Sequence, residues 1–325
     1  MTRINKKIKK AAAFVFCLFA ILLVSACGTS AQTEKPTGNP SEQTTAKGSA
    51  QNTSSSGKFK VPDFRESVFD ETKAEGNEEV KVDISSADKG YFGVWTDSDA
   101  RLKLQVVKEG ADTYIYDLVP KETDIFPFQS GDGTYTIKIM KNIEDSKYFE
   151  LYSVAAEVKL KDEFAPFLVA CQYSDYEKTS KCVTQAADFA KKAADEQAFI
   201  KNVYEYVCAN VKYDTEKAKN IQSGYIPDPD DTLKTKKGIC FDYASLTAAM
   251  LRSQGIPTKI IFGYVAPDDI YHAWNMFYTE STGWTLVEFK VDPKKWNRVD
   301  LTFLANGANA KFIGDGSNYT DVYQF

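Results

Sequence analysis

Between residues 78 and 160, apolar side chains fall on every second position: Val80-Val82-Ile84, Leu102-Leu104-Val106, Tyr114-Tyr116-Leu118 and Tyr135-Ile137-Ile139. A period of two puts such residues on one face of a pleated strand, and Gly110 and Gly131-Asp132-Gly133 punctuate the runs as turns. Several short strands at this spacing, with no helix between them, predict a small β-sandwich-like module over residues 61–160. Nothing in it has the pattern of a catalytic constellation, so it reads either as a positioning or binding module or as an accessory layer.

Around residue 183 the period changes. Residues 184–195 are Ala-rich and helical in pattern, and Phe199, Val203, Tyr206, Val207 and Asn210 trace one face of a further helix. Another helix begins at Cys240: Phe241, Ala244, Ala248 and Leu251 line one face, and Gly255 and Pro257 are its stop signals. Beyond it, residues 258–265, 272–278, 284–291 and 295–303 mix aromatic and β-branched side chains and are separated by turns such as Pro267-Asp268-Asp269. These predict antiparallel strands. The fold class is therefore α+β, with residues 161–325 forming a second domain after the β-rich module.

The N-terminal stretch has a different character. Arg3, Lys6, Lys7, Lys9 and Lys10 precede an apolar run over residues 11–24 that is short for a membrane span, the pattern of a secretory signal peptide over residues 1–26. Leu23-Val24-Ser25-Ala26-Cys27 resembles the bacterial lipobox, which implies lipid attachment at Cys27 and a location on the extracellular face of the cell membrane. Residues 27–60 are Ser, Thr, Gln, Gly and Pro with scattered charge, a flexible tether whose roughly thirty residues reach about 100 Å when extended. Loss of residues 1–26 removes five basic and no acidic residues, taking the formal charge from −5 to −10. That balance excludes a nucleic-acid partner and leaves the lipid as the membrane contact.

Candidate chemistry centres on Lys236-Lys237-Gly238-Ile239-Cys240-Phe241-Asp242-Tyr243. It puts Cys240 in the first turn of a helix, where unpaired N–H groups and the positive dipole end favour a thiolate. The chain's one histidine follows at His272, in Tyr271-His272-Ala273-Trp274. A Cys–His pair performs acyl transfer on an amide carbonyl, with a third group holding the far imidazole nitrogen. Asp300, Glu288 and Asp292 are candidates for that third role. The Cys240 backbone N–H is positioned to serve an oxyanion hole, and the second donor is left open. Tyr225 is a candidate cleft residue or a packed core tyrosine.

Other features carry less. Cys171 and Cys182 are a candidate disulfide in an exported chain, and Cys208 falls in an apolar helical pattern. The absence of CxxC and the single histidine argue against structural zinc. Asp228, Asp230 and Asp231 lack the Gly and terminal Glu of a calcium loop and read as a helix-capping turn. Neither GxGxxG nor a P-loop is present, and no cofactor is expected.

Taken together, Gly238-x-Cys240-x-x-Tyr243, the helix end Leu251-Arg252-Ser253-Gln254-Gly255-Ile256-Pro257, Gly263-Tyr264, His272-Ala273-Trp274 and Trp296-x-x-x-Asp300-x-Thr302 resemble the transglutaminase-like superfamily over residues 161–325. The ending Phe312-Ile313-Gly314-Asp315-Gly316-Ser317-Asn318-Tyr319 is similar to that of lipid-anchored Gram-positive members. The resemblance implies a papain-like cysteine fold, with a helix carrying the Cys and an antiparallel sheet carrying the His and Asp. It implies Cys240 as nucleophile, His272 as base and then acid, Asp300 as orienter, and a protein or peptide amide as substrate. Leu301 stands where the family usually has proline. The other class of function is a silent module that binds cell-wall peptide or a protein partner.

Overall fold

The computed structural model describes residues 58–281, 285–286, 289–307, 313 and 316–325. Residues 57–325 make one compact unit. The expected signal peptide, the tether up to residue 57 and Cys27 lie outside the described residues.

The alternating region folds into two four-stranded antiparallel sheets. One orders β1 (Glu75–Gly76), β2 (Val80–Asp83), β3 (Tyr91–Thr96) and β6 (Thr123–Pro127) as β1-β2-β3-β6. The other orders β4 (Leu102–Lys108), β5 (Tyr114–Asp117), β7 (Gly133–Glu144) and β8 (Lys147–Val158) as β5-β4-β7-β8. Val80, Val82, Phe92, Val94 and Phe126 from the first share one buried cluster with Leu104, Val106, Tyr116, Ile137 and Ile139 from the second. Each such side chain contributes about 1.5–3 kcal/mol by leaving water. The core continues past residue 160: Cys240, Phe241, Ala244, Ala248, Ile260, Ala273 and Phe325 belong to it.

Before β1 the chain runs across the helical region without regular structure. Phe59 stacks on Phe199 at 4.9 Å, Phe64 meets Tyr176 edge-on at 6.0 Å, and Ser67 Oγ donates to the Ala170 carbonyl at 3.0 Å. A Cβ at Gly255 would come within 2.2 Å of Pro62, so the glycine that ends the cysteine helix also lets this strap pass.

The helices are α1 (Lys181–Lys192), α2 (Glu196–Asn210), α3 (Thr215–Asn220), α4 (Pro229–Thr235) and α5 (Cys240–Arg252). Asp195 caps α2 through Ala198 N, and Asp214 caps α3 through Lys217 N. In the acidic turn, Asp228 caps α4 through Asp230 N and Asp231 N, while Asp230 reaches across to accept from Lys181 N and Cys182 N at the start of α1. Every residue of α5 is buried. Leu246, Ala249 and Met250 pack with Val183, Ala186, Phe199 and Val203 of α1 and α2, whereas Ala244 and Ala248 face Ile260 and Ala273 of the following sheet.

That sheet orders β11 (Thr258–Val265), β12 (Ile270–Thr279), β15 (Lys295–Val299) and β16 (Tyr319–Gln324) as β15-β12-β11-β16, all antiparallel. Three sequence expectations are corrected here. The strand expected over residues 284–291 is instead a separate pair, β13 (Thr285–Leu286) with β14 (Phe289–Lys290). The strand expected over 295–303 stops at Val299, because the Asp300 side chain accepts from Phe303 N and starts α6 (Leu301–Ala305). Cys171 and Cys182 are free thiols with different partners: Arg252 Nη1 donates to Cys171 Sγ at 3.3 Å, and Cys182 lies beside Asp230.

Gly263 pairs with His272 across β11 and β12, and a Cβ there would lie 2.0 Å from the Thr320 carbonyl oxygen and 2.7 Å from Trp274. Gly263→Ala should therefore cost about 1–3 kcal/mol by overpacking, read as a lower urea midpoint at unchanged slope. An unchanged midpoint would show that β16 is not held so closely to β11.

Candidate active site

The start of α5 is built by backbone chemistry. Ile239, extended at φ −91° and ψ 178°, is its N-cap, and Cys240 is the first helical residue. The first helical N–H groups have no carbonyl four residues back to receive them, so they gather at Cys240 as unpaired donors. Asp242, in the third helical position, accepts from Ile239 N at 2.7 Å and closes the turn. Gly238 is required by this arrangement, since a Cβ there would come within 2.5 Å of the Asp242 Cβ. Cys240 itself is only 8% exposed.

His272 projects from β12 and is buried. Its Nε2 lies 2.7 Å from Asp300 Oδ2, which leaves Nδ1 as the ring nitrogen for the hydrogen bond with Cys240. Phe303 stacks on the imidazole at 4.5 Å and 25°. Burial works against a charged ring. The Asp300 carboxylate first and Cys240 second, by charge and by hydrogen bond, more than offset it and push the imidazole up to about 10.

Asp300 is fully buried and has three donors. Oδ2 takes Tyr319 O–H at 3.1 Å as well as the imidazole, and Oδ1 takes Phe303 N at 3.0 Å. Tyr319 is in turn covered by the Arg298 guanidinium at 4.8 Å from its ring, and Arg298 pairs with Asp321 at 2.8 Å. Of the other orienter candidates, Asp292 is exposed, with Lys295 Nζ 4.0 Å away, and Glu288 lies outside the described residues.

A second network was not legible in the sequence. Lys217 Nζ lies 2.8 Å from Asp242 Oδ2 and donates to the Tyr225 hydroxyl at 2.6 Å, while that hydroxyl donates to Asp242 Oδ1. Tyr225 is thus a partner of the Cys240 helix, its phenol pushed up by burial and by the hydrogen bond to Asp242. The three residues are 8 and 17 positions apart, on the short α3, a loop and the first turn of α5, so no periodic signal marks them as a group.

Among the described residues no group of three or more His, Cys, Asp or Glu side chains is arranged to hold a metal ion, and no helix is long and apolar enough to cross a membrane.

Residues 183–301 match the family described as the transglutaminase-like superfamily. A UPF0252 protein of Methanocaldococcus jannaschii is 40% identical over 77 residues, covering 22% of this chain and 22% of that protein. An uncharacterised protein of Mycobacterium leprae is 33% identical over 102 residues, covering 28% of this chain and 32% of its own length. The chain therefore spans less than a third of each of these relatives. Among solved structures, a Cytophaga hutchinsonii protein provisionally assigned as a cysteine protease aligns at TM-score 0.38 and 15% identity over 72% of this chain and 83% of its own. Red sea bream transglutaminase aligns at TM-score 0.28 and 12% identity over 65% of this chain and 48% of its own. The molecule is a mixed α and β chain with several antiparallel sheets, and residues 183–301 carry the match to the transglutaminase-like superfamily.

Asp242 is fully buried while Lys217 keeps 27% of its side chain exposed. Asp242→Asn should cost roughly 1–3 kcal/mol, below the ~3–5 kcal/mol of breaking a wholly buried pair, because Lys217 can turn to solvent. Urea unfolding measures this, and a stability within about 0.5 kcal/mol of the parent would show that the network does not hold the α5 start.

Proposed function

We propose that this chain is a cysteine enzyme of the transglutaminase-like type, acting on protein or peptide amides by acyl transfer or hydrolysis. The observation that carries this reading is the Asp300 to His272 contact at 2.7 Å with the opposite ring nitrogen left for a cysteine at a helix start. In the proposed cycle Cys240 Sγ attacks the amide carbonyl carbon, forming a C–S bond and an oxyanion. Collapse breaks the C–N bond, and the leaving amine takes the proton of the His272 imidazolium. Water or a second amine then attacks the thioester, giving a proton to His272 and releasing Sγ. Asp300 holds the ring orientation throughout. The choice between water and amine rests on what the cleft admits.

The mature enzyme is further proposed to sit on the extracellular face of the cell membrane through lipid on Cys27, on the lipobox-like run alone. Cys27→Ser should abolish fractionation with membranes, and intact mass should lose a diacylglyceryl addition. A mature N-terminus elsewhere in the chain would end that proposal.

The four described thiols differ in a way that allows a direct test. Burial and the neighbouring Asp230 push Cys182 up, and burial and Asp300 push Cys208 up to about 12, so neither is a ready nucleophile at neutral pH. Iodoacetamide should label Cys240 well ahead of Cys171, Cys182 and Cys208, and Cys240→Ala and His272→Ala should each remove nearly all amide turnover without additivity. Normal turnover by Cys240→Ala would sink the mechanism.

Proton delivery gives the reading a pH signature. Because the folded imidazole is held up to about 10, its charged form persists through neutrality and is lost only as pH rises through that value. Turnover should fall on its alkaline side near pH 10, and Asp300→Asn, which removes the largest raising influence, should move that limb to lower pH. An alkaline limb that stays in place in Asp300→Asn would remove Asp300 from the orienting role.

A further inference from the structure

Three exposed tyrosines lie together beside the candidate pair. Tyr264, Tyr271 and Tyr323 are 43%, 38% and 38% exposed. Single exposed rings are ordinary on a folded surface, whereas contiguous ones mark a place where something binds. The sheet register brings these to one face: Tyr264 stands opposite Tyr271 across β11 and β12, and Tyr323 stands opposite Phe262 across β11 and β16. Phe262 and Tyr264 are two positions apart on one strand, so all three tyrosines share a face.

That face reaches the start of α5 through ring contacts. Cys240 follows β10 (Lys237–Gly238), which is paired in parallel with β9 (Lys212–Tyr213), and its chain neighbour Phe241 meets Phe262 edge-on at 4.8 Å. Phe262 is stacked with Tyr271 at 6.1 Å, and Tyr271 meets Tyr264 at 5.4 Å. On the other flank, Tyr114 of β5 meets Tyr323 edge-on at 5.8 Å. Tyr271 also immediately precedes His272, so a chain neighbour of each member of the Cys240 and His272 pair belongs to the aromatic surface. Ring steps of this size from Phe241 put Tyr271 within the reach of about three residues of extended chain.

The chemistry of the face selects what it can hold. The strand positions beside the tyrosines are Phe262, Ala273 and Thr320, none of them charged. Asp321 is in register with Gly263 and turns to the opposite face, where it pairs with Arg298. Asp268 and Asp269 belong to the turn beyond the rings, which makes a cationic side chain the competitor to exclude. A sugar would find no carboxylate or carboxamide beside the rings for its vicinal hydroxyls, only phenols and one threonine. An aromatic ring finds ring edges and faces, and such pairs are attractive beyond the area they bury.

We infer that Tyr264, Tyr271 and Tyr323 seat an aromatic side chain of the peptide substrate, carried within about three residues of the amide that Cys240 attacks. This rests on the acyl-transfer reading above and narrows its substrate class to peptides with such a ring. The tyrosines touch no reacting atom. They hold the neighbouring segment so that its carbonyl stays near the thiol.

Peptidyl chloromethyl ketones test the seat, because alkylation of Cys240 reports how well the attached peptide sits and needs no turnover. The probes are acetyl-triglycyl chloromethyl ketone and its versions with Phe, Lys or Asp at each glycine in turn. One Phe position should raise the second-order rate of Cys240 alkylation by about 10- to 100-fold over the triglycyl probe, with Lys or Asp there giving less than about threefold. Tyr264→Ala combined with Tyr323→Ala should bring the Phe-to-Gly ratio below about 3, and Tyr264→Phe combined with Tyr323→Phe, which keeps both rings, should retain it. The ratio is taken within one protein, so a general change in thiol reactivity cancels. The assignment is overturned by a parent with no Phe preference at any position, by a larger rise with Lys or Asp than with Phe, or by a ratio unchanged in the alanine variant. Protection of Cys240 from iodoacetamide by tri-N-acetylchitotriose, without a Phe preference, overturns it in favour of a glycan. An intact Phe preference in a parent that turns over no amide of the preferred peptide overturns the acyl-transfer reading alone and leaves the seat standing.

Discussion

Complete burial of α5 is the constraint on which the rest of the molecule depends. A helix buried on every face cannot rest on one layer; it needs apolar partners all round. α1 and α2 cover the side with Leu246, Ala249 and Met250, and β11 and β12 cover the side with Ala244 and Ala248. Ser245 and Thr247, which would be costly in an apolar interior, lie on this helix too, and Thr247 returns its hydroxyl to the Tyr243 carbonyl at 2.7 Å. With the helix fixed from all sides, its first turn has one position, and Cys240 inherits it.

Two buried carboxylates then frame the candidate site around that fixed helix, and both do so as helix-start residues. Asp242 closes the first turn of α5 while its other oxygen takes the Tyr225 hydroxyl. Asp300 starts α6 while its other oxygen takes the His272 ring and the Tyr319 hydroxyl. A carboxylate without partners would be costly in such surroundings; each of these two meets three donors, which satisfy its oxygens and hold it still. Coupling a cap to a tertiary contact means that side-chain orientation is set by backbone geometry rather than by a free rotamer. Phe303, one turn into α6, adds its ring to the imidazole face, so the same short helix supplies both the hydrogen-bond frame and the stacking surface.

What the sequence made legible follows from where periodic signals exist. The alternation at Val80-Val82 and Leu102-Leu104-Val106 is visible because one face of each strand is buried, and the Cys240 helix is visible through Phe241, Ala244, Ala248 and Leu251 with Gly255 as its stop. His272 stands out by being alone. Asp300 does not stand out by its own chemistry, since Glu288 and Asp292 are equally acidic and close by, and only the resemblance separates them. The capping role that ends β15 was hidden by Leu301-Thr302-Phe303, which continues a strand-like composition into a helix. β16 was hidden for the opposite reason: Thr320, Asp321 and Gln324 give an edge strand little apolar pattern, although it carries Tyr319 to Asp300. The Lys217, Tyr225 and Asp242 network depends on tertiary proximity alone.

The β-rich region bears on the site through aromatic packing rather than through a separate interface. Tyr116 of β5 meets Phe325 edge-on at 5.5 Å, Phe325 meets Tyr173 at 4.8 Å, Tyr173 meets Phe241 at 5.1 Å, and Phe241 meets Phe262 at 4.8 Å. Phe241 is the residue after Cys240, so a continuous line of rings runs from the sheets to the start of α5. Edge-to-face pairs of this kind add about 0.5–1.5 kcal/mol each beyond the area they bury. Close packing transmits displacement, because a ring cannot shift without its neighbours shifting or a void opening. The β-rich region is thus part of what holds the helix start in place, and the accessory-layer reading of it gains physical content: its sheets form one wall of the same core that surrounds Cys240.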